Sequence, residues 1–187
     1  SSCNFILNDL PLTENKSGIC FSYSPQSQDV VHNANALGAA LLSRVYSYNK
    51  DIILKSKSTL SIDFLLSEQK KDGSWAYMYL NSKSGYEKNQ IDWHQGFIID
   101  SINDYLQYTK SSEKKYSEKI IIASKFYKDN QFLETGQSLW RYPMVWPVDI
   151  HNQAQGIITF SRVSYFDKNY LNFAHKIAEW TISKMQD

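Results

Sequence analysis

The 187-residue chain is short of the features that several protein classes need. Seven glycines and four prolines are too few for an all-β fold with many tight turns. Its two cysteines, Cys3 and Cys20, form no CxxC pair and are expected to be free thiols. A formal net charge of +1 gives no basic surface for nucleic acid or an anionic membrane. No apolar run reaches the ~18 residues of a membrane span. The N-terminus has no basic region leading into an apolar run, so no secretion signal is read and a cytoplasmic location is expected. Glycine-rich phosphate loops, nucleophile elbows and Cys–His pairs of recognisable spacing are absent, so no cofactor is expected.

Aromatic residues are plentiful, at 14%, with 13 tyrosines and five tryptophans, many outside helical stretches. Hydrophobic and charged contents of 42% and 21% are those of a folded chain, and the length suits one domain over 1–187. Three stretches look like copies of one another: Val31-His32-Asn33-Ala34-Asn35, Ile91-Asp92-Trp93-His94-Gln95-Gly96 and Val148-Asp149-Ile150-His151-Asn152-Gln153-Ala154. Upstream of each is an aromatic block: Phe21-Ser22-Tyr23, Trp75-Ala76-Tyr77 and Trp140-Arg141-Tyr142-Pro143. The histidines are 62 and 57 residues apart, and the aromatic blocks 54 and 65. Two signals recurring together on a period of about 60 indicate a repeat architecture.

Apolar spacing predicts helices over 30–46, 51–69, 92–109, 114–129, 150–163 and 168–185. The first has Val30, Val31, Leu37, Leu41 and Leu42 on its apolar face; the second has Ile53, Leu60, Phe64 and Leu65; the fifth has Ile150, Ala154, Ile157 and Ile158. Asn4 to Leu10 reads as the last turns of another helix, stopped by Pro11, and suggests the C-terminal part of a longer protein. Odd helices open at the histidine motif and are rich in small or apolar residues, whereas even ones carry Lys and Glu. That asymmetry predicts an inner and an outer layer. The expected fold is all-α: tandem helical hairpins curled into an incomplete α/α toroid.

The ordered set Asp72-Gly73-Ser74-Trp75-Ala76-Tyr77, Asp92-Trp93-His94-Gln95-Gly96-Phe97 and Pro147 to Gln155 resembles the C-terminal half of bacterial polysaccharide-biosynthesis-associated α/α-toroid proteins. Cys20-Phe21-Ser22-Tyr23 with Val31 to Asn35 fits the same pattern. More distantly, the chain is similar to six-hairpin sugar-active folds: unsaturated glucuronyl hydrolases, polysaccharide lyases and uronyl epimerases. The resemblance implies a carbohydrate-directed protein of surface-polysaccharide metabolism. It also implies lyase, hydrolase or epimerase chemistry on a uronate-containing glycan. The expected partner is an oligo- or polysaccharide, beside the missing N-terminal half or a second copy.

His32, His94 and His151 sit at helix N-termini, where exposed N–H groups disfavour imidazolium and keep each ring able to exchange a proton. Each either touches a ligand or ties down its loop. A three-histidine metal site is not expected. Zinc needs its nitrogens about 2 Å from one ion, while packed helices lie roughly 8–10 Å apart. Asp92 and Asp149 precede their histidines by two residues and Asp29 precedes His32 by three. They suit helix capping, worth about 0.5–2 kcal/mol, or carboxylate acid–base work. Trp75, Trp93, Trp140 and Trp146, with Tyr77, Tyr79 and Tyr142, supply flat faces for sugar stacking; Asn152 is an amide for hydroxyls. The catalytic expectation is His94 or His151 as base, Tyr77 or Tyr142 as acid, and Arg141 holding a carboxylate. His32, Asp92, Asp149 and the tryptophans are expected to bind substrate. The rival readings are a non-catalytic glycan-binding or scaffolding module and a terpenoid-cyclase-like toroid. The latter wants a DxDD or DDxxD run, which this sequence lacks.

Overall fold

The computed structural model describes residues 2–79 and 86–186. A short helix α1 (Ser2–Asn8) leads through a two-stranded hairpin, β1 (Leu12–Glu14) and β2 (Ile19–Phe21), to the first full pair, α2 (His32–Asn49) and α3 (Ile52–Glu68). Two further pairs follow: α4 (Trp93–Thr109) with α5 (Lys114–Gln131), and α6 (Ile150–Val163) with α7 (Asn169–Met185). The expected all-helical hairpins are present. Strands β3 (Val30–Val31), β4 (Met78–Tyr79) and β5 (Glu87–Lys88) form a small antiparallel sheet that joins the first loop to the second. The 30–46 helix therefore starts at His32, because Val30 and Val31 spend their backbone groups on Tyr79 and Met78.

Within each pair the helices run antiparallel, as shown by Ser58 Oγ donating to Ala39 O at 2.8 Å and Ser61 Oγ donating to Asn35 Oδ1 at 2.8 Å. Between pairs, the inner helices run parallel. Trp93 meets His151 at the start of α4 and α6, Gly96 backs onto Gln155 and Thr159, and Asp104 meets Arg162 near the far end. Helices α2, α4 and α6 form one inner row and α3, α5 and α7 an outer row. All three histidine motifs consequently open at the same edge. The core between the rows is built on Ile62, Leu65, Ile98, Ile102, Tyr116, Tyr127, Phe160 and Phe173. Both cysteines are free.

Each connecting loop is tied to the helix that follows it by an amide side chain. Asn35 Oδ1 accepts from the Phe21 amide (2.9 Å), Gln95 Oε1 from the Trp75 amide (3.0 Å) and Gln153 Oε1 from the Ser138 amide (2.6 Å). Gln95 Nε2 also donates to Trp75 O at 2.9 Å, closing a two-bond clamp on one residue. Buried loop backbone must find partners, and these amides supply them. A glycine precedes each clamp and lets the loop lie on the outer helix of its pair. A Cβ on Gly18 would strike Leu60 O; Gly73 and Gly136, at φ 99° and 92°, press on Ile122 O and Lys176 O.

The expected helix faces need correction. Ile53, Leu60 and Leu37 are exposed; Leu54, Ile62 and Ala39 face inward instead. On α6, Ile150, Ala154 and Ile158 point outward, and the buried face carries Asn152, Gln153, Gln155 and Thr159. That face is polar because it binds loop backbone and the buried Asp100, whose Oδ2 accepts from Gln155 Nε2 at 2.7 Å and Thr159 Oγ1 at 3.1 Å. Burial pushes the Asp100 carboxyl up to about 6, against the pull of Arg162.

Two glycine substitutions separate these roles. Gly136→Ala is expected to lose more than about 1 kcal/mol, since its backbone is left-handed and a Cβ would lie 2.6 Å from Lys176 O. Gly38→Ala, whose Cβ would meet only ordinary 3.9 Å contacts, is expected to gain up to about 1 kcal/mol from helix propensity. Urea midpoints at unchanged m-value read both; a Gly136→Ala midpoint equal to the parent's would contradict the packing described.

Candidate functional site

At the shared edge, Asp92 caps α4 and holds His94. Its Oδ1 accepts from the His94 backbone amide at 3.1 Å and from the His94 ring Nδ1 at 2.6 Å. Its other oxygen accepts from Gln90 Nε2 at 2.6 Å. Of the two roles the sequence left open for Asp92, capping is performed, and the same carboxylate also orients the imidazole, a role the sequence did not suggest. Burial alone would raise the Asp92 carboxyl, but the hydrogen bonds from His94 and Gln90 outweigh it and hold it below the usual range. With Nδ1 committed to Asp92, His94 Nε2 has no hydrogen-bond partner among the described residues and can face a ligand.

The His94 ring stacks on Trp93 (4.9 Å between centroids, 27°) and meets Tyr77 edge-on at 4.8 Å. His151 lies against the same Trp93 ring at 5.7 Å and is held by Asp149, whose Oδ1 accepts from the His151 amide and Nδ1, both at 2.9 Å. The His94 ring is mostly covered, whereas the side chain of His151 is 74% exposed. Arg141 approaches from the third loop. Its Nε is 3.6 Å from Asp92 Oδ2 and its guanidinium lies 5.1 Å over the Trp140 ring. Burial, Tyr23 and Asp92 raise the Tyr77 phenol above its ordinary value despite Arg141, so it keeps its proton at neutral pH. Lys88 lies 4.9 Å over the same ring.

No protein-family model matches the sequence, and no curated protein does. Among solved structures, the chain is similar to cellobiose 2-epimerase from Bacillus thermoamylovorans, with a TM-score of 0.77 at 15% identity. The match covers 98% of this chain and 53% of that one, so the chain spans about half the length of the structure it matches. The fold is that of an α/α toroid. No described helix is long and apolar enough to cross a membrane.

The toroid edge brings together His94, His151, Trp93, Asp92, Asp149, Arg141 and Tyr77, with Trp140 behind Arg141. Five other expected site residues, His32 among them, are placed elsewhere. Trp75 is 0% exposed and donates its indole N–H to Leu65 O at 2.8 Å, so no ring face is left for a sugar. Asn152, also fully buried, donates to Trp140 O at 3.1 Å and accepts from Gln131. Trp146 is 69% exposed and, among the described residues, makes no ring contact with either imidazole. Tyr142 lines a separate groove against α5.

His32 is covered by the β3–β4 pairing. It donates from Nδ1 to Ala76 O at 2.7 Å, packs edge-on to Tyr79, and has 0% exposure. Asp29 does not cap it: α2 starts from Val31 without a side-chain cap. Among the described residues no group of three His, Cys, Asp or Glu side chains is placed to hold a metal ion. Gln90 and Lys88 join the site without having been singled out, their only sequence signal being nearness to the second histidine motif. Tyr23, singled out only as part of the first aromatic block, acts on the Tyr77 phenol.

Burial pushes the His32 imidazole down to about 4, although the Ala76 carbonyl favours its protonated form. The unfolded chain takes that proton near 6.5 and the folded chain only near 4. Its share of stability is therefore complete above about 6.5 and is lost as pH falls towards 4, on the order of 3 kcal/mol in all. Asp100, raised to about 6, acts in the opposite sense over much of that window. In an Asp100→Asn background, chemical unfolding from pH 7.5 to 4 should show the His32-dependent decline, and a further His32→Gln change should flatten it. An unchanged slope would place the His32 ring in water.

Proposed function

We propose that the chain is a carbohydrate-directed enzyme of the epimerase or lyase type, moving a proton at a sugar carbon beside a carboxylate or carbonyl. The observation that carries this reading is the Asp92-held His94, whose Nε2 has no partner among the described residues, beside a protonated Tyr77 phenol and the Arg141 cation. His94 Nε2 takes the proton, and the resulting imidazolium is stabilised by an Asp92 that is ionised at neutral pH. Charge left on the substrate collects on its carboxylate or carbonyl oxygen, which Arg141 and the Tyr77 O–H meet. His151, oriented by Asp149 on the other arm of Trp93, is a second imidazole from which a proton can return. Return to the opposite face gives epimerisation; loss of a leaving group at the next carbon gives elimination.

The solved toroid it resembles is named as a cellobiose 2-epimerase, which agrees with proton transfer on a sugar. Arg141 favours an acidic sugar, so a uronate-containing glycan, as in surface-polysaccharide metabolism, is the substrate class proposed. The non-catalytic reading draws on Trp146, a largely exposed ring.

Solvent-deuterium incorporation into oligouronates and neutral disaccharides, followed by NMR, tests the reaction. His94→Ala is expected to lose at least about 10²-fold in exchange rate. Asp92→Asn should also fall sharply, because an amide can present its N–H to Nδ1 and favour the wrong tautomer. Arg141→Lys should raise KM more for uronates than for neutral sugars. Full exchange in His94→Ala would end the catalytic reading.

A further inference from the structure

Arg141 and Tyr142 are consecutive, yet they serve opposite sides of one backbone segment. Arg141 turns to Asp92, while Tyr142 lines a groove of about 700 Å³ on the outer flank of the same edge, against α5. The Tyr142 amide donates to Ile91 O at 3.0 Å, one residue before Asp92. The groove and the Asp92–His94 pair therefore lie on either side of the same two strands of chain.

Its lining suits a polyol. Tyr142, 45% exposed, and Pro143 offer flat apolar surface. Among the described residues, three polar side chains keep unspent capacity: Asn89 accepts from Lys70 through Oδ1, leaving its Nδ2 donor. Asn130 donates to Phe126 O within its own helix and keeps Oδ1. Asp72 Oδ1 accepts from the Ser74 amide and hydroxyl, leaving its second oxygen. A donor and two acceptors beside a ring face match vicinal hydroxyls on a pyranose. The cations that line the groove are already engaged, Lys70 with Glu87 and Lys125 with Asp129, which argues against a phosphate or a nucleic acid.

We infer that this groove is a second saccharide-binding site, holding a unit of the glycan away from the reacting sugar and sharing the Arg141–Tyr142 wall with the site. The inference rests on the reading of the chain as carbohydrate-directed. The probes are β-linked gluco-oligosaccharides and oligouronates of two and six units, titrated calorimetrically. Tyr142→Ala and Asn130→Ala are expected to weaken six-unit binding about tenfold and leave two-unit binding within about twofold. Tyr142→Phe should behave as the parent. Neither variant loses a bond the fold uses beyond one turn of helix, and matched unfolding midpoints check this. If six-unit affinity is unchanged, if both lengths weaken alike, or if no six-unit sugar binds the parent, the groove is not a saccharide site. His94→Ala separates the two readings. Retained exchange with length-dependent loss in Tyr142→Ala would remove the catalytic proposal and keep this one, and the reverse pattern would do the opposite.

Discussion

The arrangement depends on a hydrogen bond made three times, between an amide side chain in the first turn of each inner helix and the backbone of the loop before it. Asn35, Gln95 and Gln153 hold Phe21, Trp75 and Ser138. A loop this polar cannot be buried between helix pairs unless its N–H and C=O groups are met, at a cost of about 1–3 kcal/mol for each one left orphaned. The amide meets them from the helix itself, so the loop and the start of the helix are positioned as one piece. Because the inner helices are parallel, three such pieces lie side by side, and whatever the loops carry is gathered at one edge.

The repeats have diverged within that frame. In the first, the β3–β4 pairing lies over His32 and turns it into a buried anchor for Ala76. In the second, the cap Asp92 reaches the ring of His94, and Gln90 and Arg141 gather on its far oxygen. In the third, the same cap-to-ring bond occurs between Asp149 and His151, but the imidazole stays exposed. One sequence motif thus gives an anchor, a covered imidazole–carboxylate pair and an open one. The difference comes from what each neighbouring loop places above it.

Much of this was legible beforehand, for physical reasons. The period near 60, the six long helices and their split into inner and outer rows follow from apolar spacing and from the contrast between small and charged residues. The capping role of Asp92 and Asp149 follows from their place two residues before a helical His. Burial of individual site residues did not follow, because it is set by partners distant in sequence. Trp75 reads as a loop aromatic until Leu65 O receives its indole N–H, and Tyr142 reads as a site tyrosine until its own amide pairs with Ile91. The α6 stripe misled for a related reason: Gln153, Gln155 and Thr159 are polar and yet buried, since their work is to satisfy backbone and Asp100.

Native-state hydrogen exchange at single-residue resolution tests the amide clamp most directly. The Trp75 and Ser138 amides belong to irregular loops and would exchange quickly if solvent reached them. Held by Gln95 and Gln153, they should exchange as slowly as core amides of α4 such as Ile102. Exchange of both on the timescale of the exposed 111–113 turn would contradict the account, because the loops would then be resting on the helices and not fastened to them.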